Sequence, residues 1–192
     1  MHIARPERSE ERLPDAQAAL EEINTSVIRQ GPVCTPDCTC AKFQHCSRTC
    51  PYIAQTLSSD PVKHPLEHNI APLAFEIKRL GIFTPCWSCE GHNDQHNKLL
   101  KMPAVWFYAH SVTHVRVLGD SIGDMYYAHR LSSPWQVRLC FSDPGNVNTM
   151  FSLEPAPQNA EITLPKLHND IRQIAEELED RMIQKAQDLK KL

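Results

Sequence analysis

The chain has 192 residues, 41% of them hydrophobic and 22% charged, and its 20 basic against 23 acidic side chains leave a net charge of −3. That length suits one ordinary domain with its own core, and the composition is that of a folding globular chain rather than a disordered one. The acidic balance and the absence of a Lys/Arg block give no electrostatic footprint for nucleic acid or anionic lipid; the longest apolar run, 104–109, is far short of the roughly 20 residues that cross a bilayer.

Met1 to Arg12 carries Arg5, Glu7, Arg8, Glu10, Glu11 and Arg12 instead of the apolar stretch of a secretory signal, so a cytoplasmic location is expected. Leu20, Ile23, Val27 and Ile28 then share one helical face within 14–30, with Gly31 as its stop. From Gly31 to His64 this periodicity disappears among five cysteines and four prolines, and something other than apolar burial must order the segment. Ile70, Leu73, Ile77 and Leu80 predict a second helix over 69–80, with Pro72 in its first turn and Gly81 just past its end.

The helix leads into Thr84-Pro85-Cys86-Trp87-Ser88-Cys89-Glu90-Gly91-His92, read as a loop, and then into Ala104 to Ala109, an unbroken run expected to be a central strand buried on both faces. Val115, Leu118, Ile122 and Met125 predict a helix over 111–131; Gly119 and Gly123 lie inside it, where close packing of a neighbouring element would explain them, the alternative being a break near Gly119. Trp135, Val137, Leu139 and Phe141 alternate with polar residues as in a half-buried strand. Asp143-Pro144-Gly145-Asn146 supplies a turn, and 149–153 is its hairpin partner. Leu167, Ile171, Ile174, Leu178, Met182 and Leu189 mark a long terminal helix of about 25 residues, or roughly 37 Å, long enough to pair with a second copy of the chain.

These elements amount to an α+β fold, a small mixed or antiparallel sheet of about three strands flanked by helices. The organisation is an N-terminal helical segment (1–31), a Cys-rich knuckle (32–64), an α+β core (65–157) and the terminal helix (158–192).

In a reducing compartment clustered thiols bind metal or perform redox chemistry rather than pair as disulfides. Cys34, Cys38, Cys40, Cys46 and Cys50 crowd into 17 residues, and a structural zinc would supply the order the segment lacks. Cys34-x3-Cys38 and Cys46-x3-Cys50 have ligand spacing; Cys40 is then spare, a substitute for Cys38, or part of another site with His45, His64 or His68. An iron–sulfur cluster is the rival, because Cys46-x3-Cys50-Pro51 ends as a bacterial ferredoxin run does.

The second cluster is Cys86-x2-Cys89 followed by His92 and His96, which are four apart as two imidazoles on one helical turn would be. Glu90 adds a carboxylate to serve as ligand, supporting hydrogen-bond partner or proton carrier. Thr84-x3-Ser88-Cys89-x-Gly91-His92 resembles, over nine residues, the Ser-Cys-x-Gly-Arg loop of the tRNA wybutosine-synthesis methyltransferases. His92 stands where that loop has arginine and the net charge is acidic, so membership is not assigned. No phosphate-cradling, dinucleotide or nucleophile-elbow motif exists among the six glycines.

The expectation is therefore a zinc-binding protein, a metal-stabilised binding or regulatory module. The alternative is an enzyme whose catalytic or metal-assisted site is Cys89, Glu90 and His92, with Cys89 as nucleophile or ligand and His92 as base or ligand. Neither nucleic acid nor membrane is an expected partner, and no protein or small-molecule partner can be read from the residues.

Overall fold

The computed structural model describes residues 13–25, 63, 66–140, 149–157 and 162–191. Cys34, Cys38, Cys40, Cys46 and Cys50, and with them the expected knuckle and the turn at 143–146, lie outside the described residues. Among the described residues no helix is long and apolar enough to cross a membrane.

The fold is α+β. In chain order the elements are α1 (Leu13–Asn24), α2 (Ala71–Arg79), β1 (Phe83–Cys89), β2 (His92–Asn93), β3 (Leu99–Lys101), β4 (Ala104–Ala109), α3 (Val112–Tyr127), β5 (Trp135–Cys140), β6 (Met150–Pro155) and α4 (Leu164–Lys190). Four strands form one antiparallel sheet in the order β1-β4-β6-β5, and β2 pairs with β3 as a separate ribbon. The sheet thus has one strand more than the sequence suggests, β1 occupying the segment read as a loop.

Register explains the two faces of the sheet. Val105, Leu153 and Val137 lie opposite one another, as do Phe107, Phe151 and Leu139, and Val105, Phe107 and Leu153 are fully buried beneath the helices. Trp106, Ser152 and Arg138 form a row on the other face, and Tyr108, Met150 and Cys140 form the next. β4 is central, as expected, yet Trp106 and Tyr108 are only half-buried, so the strand is not sealed on both faces. An unbroken apolar run does not separate a strand buried on both faces from one whose second face carries large amphipathic rings.

Helix α4 extends 27 residues, about 40 Å. Its apolar stripe is buried from Leu167 through Ile171, Ile174, Leu178 and Met182 to Ala186, packed against α1, α2 and α3 of the same chain. What it leaves for a second chain is its opposite, charged face. Two ion networks fasten it: Arg79 of α2 bonds both Glu76 and Glu179, and Arg130 and Arg181 converge on Glu177. The first turns also hold Asp170, fully buried, which accepts from Ser132 N (2.8 Å), Ser132 Oγ (3.0 Å) and Trp135 Nε1 (3.2 Å) and so fixes the entry into β5.

Helix α3 is continuous through both its glycines. Gly123 has no described neighbour within 4 Å of a would-be Cβ, and Gly119 meets only Val137 Cγ2 at 3.9 Å. Close packing against a neighbouring element is therefore not what places them there.

Candidate metal centre

β1 runs out at Cys89, and the chain turns into β2 through Glu90 and Gly91 alone. Gly91 has φ +87°, in the left-handed region that glycine enters without the steric cost a Cβ would bring. A Cβ at Gly91 would also stand 2.8 Å from Leu164 Cδ1, 2.9 Å from the Lys101 carbonyl oxygen and 3.0 Å from Pro103 Cδ. The first turn of α4, β3 and the start of β4 thus clamp a turn that only glycine fits, which brings Cys89 and His92 side by side: Cys89 Sγ lies 3.3 Å from His92 Nε2.

A third group arrives from far up the chain. Glu67, whose carbonyl accepts from Ala71 N at the entrance to α2, places Oε1 3.3 Å from the same His92 Nε2. One ligand-type atom from each of Glu67, Cys89 and His92 falls within 4.8 Å of the others, and no other group of three such residues gathers this way among the described residues.

The surrounding bonds hold this arrangement in advance. Glu67 Oε2 accepts from Glu90 N at 2.7 Å, so one carboxylate oxygen is anchored and the other is turned toward His92. Glu90 Oε2 in turn accepts from Asn69 N (2.8 Å) and Asn69 Nδ2 (3.0 Å), and His168 Nε2 of α4 donates to the Glu90 carbonyl (2.9 Å). Glu90 is therefore the brace between the Glu67 segment and the Cys89–His92 turn, and its side chain is engaged by Asn69 rather than directed at the cluster. Cys89 is buried, whereas the side chains of His92 and Glu67 are 49% and 34% exposed, so the cluster opens to solvent on one side.

Of the residues singled out in the sequence, Cys89 and His92 come together, Glu90 stands behind them, and Cys86 and His96 lie outside the group. Cys86 sits at a bulge between Pro85 and Trp87, is exposed, and contacts Met150. His96 occupies the β2–β3 loop, whose shape is set by Asp94: its Oδ1 accepts from His96 N (2.8 Å) and Lys98 N (2.9 Å), with Asn97 at φ 59°. A spacing of four joins two imidazoles on a helix; in a strand followed by a tight loop it separates them. Glu67 was missed because it lies 22 residues before Cys89 with no ligand-like spacing to it, and only the packing of α2 on β1 brings them together.

Both short contacts of the cluster fall on one ring nitrogen. A nucleophile–base–orienter triad puts the thiol and the carboxylate on opposite nitrogens of the imidazole, so that the ring relays a proton between them. Here one Nε2 faces both a thiol sulfur and a carboxylate oxygen, and a neutral imidazole nitrogen bonds only one of them well. A single ion seated among the three atoms would satisfy all of them. Zinc bonds of about 2.3 Å to sulfur and 2.0–2.2 Å to nitrogen and oxygen imply tetrahedral edges of roughly 3.4–3.6 Å, beside the observed 3.3 and 3.3 Å.

Comparison with known protein families, with characterised proteins and with solved structures found no match to this chain.

Proposed function

We propose that this is a zinc protein whose centre is built from Glu67, Cys89 and His92, with a solvent-derived ligand in the fourth position. The observation that carries this reading is the convergence of a thiol and a carboxylate on the single atom His92 Nε2, each at 3.3 Å, with all three ligand-type atoms within 4.8 Å of one another. Three protein ligands and an exposed fourth side are the pattern of zinc sites that act on a bound water or substrate, as opposed to closed structural sites. Zinc at such a site lowers the pKa of its water toward neutrality and polarises a carbonyl or phosphoryl oxygen, so the reaction class is metal-assisted hydrolysis or hydration. The free thiol of Cys89 fits a reducing, cytoplasmic setting.

The four-thiolate site read between Cys34 and Cys50 is a second zinc site in this proposal, resting on spacing alone. The two are told apart by metal counting on the full chain purified without chelator. Two zinc ions per chain are expected, falling to one in Cys89→Ser or His92→Ala and also to one in Cys34→Ser/Cys50→Ser. Unchanged zinc content in Cys89→Ser, His92→Ala and Glu67→Ala would refute the centre, and iron with acid-labile sulfide would replace the knuckle zinc by a cluster.

A further inference from the structure

The sheet face turned away from the helices carries a second set of metal-ligand atoms, all sulfur. β5 and β6 place Cys140 directly opposite Met150, and β6 and β4 place Met150 opposite Tyr108, so Tyr108, Met150 and Cys140 make one row across three strands. β1 completes it through its irregularity. Regular alternation from Pro85, which pairs with Phe107 on the helix-covered face, would leave Trp87 on that same face. The bulge at Cys86 inserts one residue and re-aims the rest of the strand, so Trp87 instead pairs with Trp106 and both Cys86 and Trp87 emerge on the open side. Cys86 Sγ then reaches across β4 to Met150 Sδ at 3.4 Å.

We propose that Cys86, Met150 and Cys140 form a binding site for a soft monovalent cation of the Cu(I) class. Two thiols and a thioether offer no hard donor; a thioether is a poor ligand for zinc, calcium or magnesium, while thiolate with thioether is the donor set that selects Cu(I). The spacing suits it: metal–sulfur bonds of about 2.3 Å put two sulfurs roughly 3.8 Å apart around a tetrahedral ion, and the Cys86–Met150 pair, at 3.4 Å, is already close to that. An ion can reach the site, since Cys86 is exposed and both Cys140 and Met150 are partly so.

Both cysteines are free thiols, and among the described residues Cys140 makes a long 3.9 Å contact to the Arg138 carbonyl. Burial, and after it the charge of Cys140, pushes the Cys86 thiol up, so the two sulfurs sense each other across the row. Burial pushes the Cys140 thiol up as well. Two protonated thiols are poor nucleophiles and poor partners for thiol–disulfide exchange, but a soft ion displaces their protons on binding. This site shares no residue with Glu67, Cys89 and His92, and it stands or falls separately from the zinc reading.

The test is residue-resolved alkylation of the zinc-loaded full chain under anaerobic conditions, with free Cu(I) set by a bicinchoninate buffer and N-ethylmaleimide labelling of Cys86 and Cys140 read by peptide mass spectrometry. Cu(I) is expected to slow labelling of both residues at least ten-fold, zinc at equal concentration to leave both unprotected, and Met150→Leu to raise the Cu(I) needed for protection at least ten-fold. The labelling rate of each variant without copper establishes that the face is folded and open. Equal labelling of Cys86 and Cys140 with and without Cu(I), protection by zinc as well as by Cu(I), or protection unaltered in Met150→Leu would each overturn the proposal.

Discussion

Replacing Gly91 by alanine adds one methyl group at the turn on which the proposed metal centre depends, and the geometry sets its cost. A residue with a Cβ held at φ +87° loses about 1–2 kcal/mol to its own carbonyl. The methyl then meets three atoms at 2.8 to 3.0 Å. Leu164 Cδ1 can rotate away, but the Lys101 oxygen belongs to β3 and Pro103 is a ring, so this contact cannot be relieved by a rotamer change. Overpacking of this kind adds about 1–3 kcal/mol, for a total of about 2–5 kcal/mol. At about 2–4 °C per kcal/mol for a chain of this size, the melting midpoint should fall roughly 4–20 °C, and zinc at the Cys89–His92 site should fall with it. Gly123→Ala is the matched control: the same methyl enters a helix where no described atom lies within 4 Å, and a gain of about 0.5–1 kcal/mol is expected. Thermal melts of the two variants, with zinc counted on each, decide the matter. A Gly91→Ala protein melting within a degree of wild type, or a Gly123→Ala protein destabilised as much, would refute the reasoning.

Three further outcomes are expected. Asp170→Ala strands the buried Trp135 indole N–H at about 1–3 kcal/mol, while the two Ser132 donors belong to an exposed residue and can turn to water; a fall of about 1–3 kcal/mol is expected in urea unfolding, and a loss under about 0.5 kcal/mol would show that the indole finds another partner. Asn69→Asp sets a second carboxylate against Glu90 Oε2, where an amide now donates, loosening the brace on Glu67; a drop in zinc affinity of about 10–100-fold is expected by chelator competition, and unchanged affinity would remove Glu90 from the support of the site. Burial, ahead of the opposing bond to the Ala19 carbonyl and the charge of Glu22, holds His114 below the ordinary imidazole value. The unfolded chain therefore takes up the proton first, and stability should decline as pH falls below about 6.5; a urea midpoint that fails to fall between about pH 7.5 and 5.5, or falls equally in His114→Gln, would contradict this.

The His114 geometry supports that sign independently of any titration. Nε2 lies 2.9 Å from the Ala19 carbonyl, an acceptor only, so Nε2 carries the proton of the neutral ring. Nδ1 is buried with no described partner, and a second proton there would be a stranded donor. The residue ties α1 to the start of α3, and acid works against that tie.

What the sequence showed and what it hid divide by the range of the forces involved. Trp135 to Cys140 is legible because apolar residues alternate with polar ones, Met150 to Pro155 because it follows a turn signal as the returning strand, and α4 because Leu167, Ile171, Ile174, Leu178 and Met182 repeat at helical spacing. β1 was not legible: Pro85 reads as a breaker and the bulge at Cys86 destroys the period-2 signal, although the strand is well paired along β4. In the centre, Cys89 and His92 were visible as a local motif with Gly91 between them. Glu67 was not, since its place is set by tertiary packing and by a bond from the backbone N–H of Glu90, neither of which leaves a spacing to read.

That last bond explains why the centre is more than three residues that happen to meet. The Glu90 amide anchors Glu67 Oε2, the Glu90 carboxylate holds Asn69, and the Glu90 carbonyl is held by His168 of α4. Three polar atoms of one residue, its N–H, its carbonyl and one carboxylate oxygen, are therefore engaged in fixing where Cys89 and His92 sit relative to Glu67. In the proposed centre the sequence motif Cys-Glu-Gly-His therefore divides into ligand, brace, hinge and ligand, with Glu90 Oε2 engaged by Asn69. The division has its origin in physical chemistry: softness and basicity belong to the thiol and imidazole, backbone freedom to glycine, and the multiple acceptor sites of a carboxylate to the residue that joins two segments. The same partition predicts that Glu90→Ala, which keeps the amide bonded to Glu67 but releases Asn69, will lower zinc affinity through the position of Glu67, and that it will add little to the loss already caused by Glu67→Ala when the two are combined.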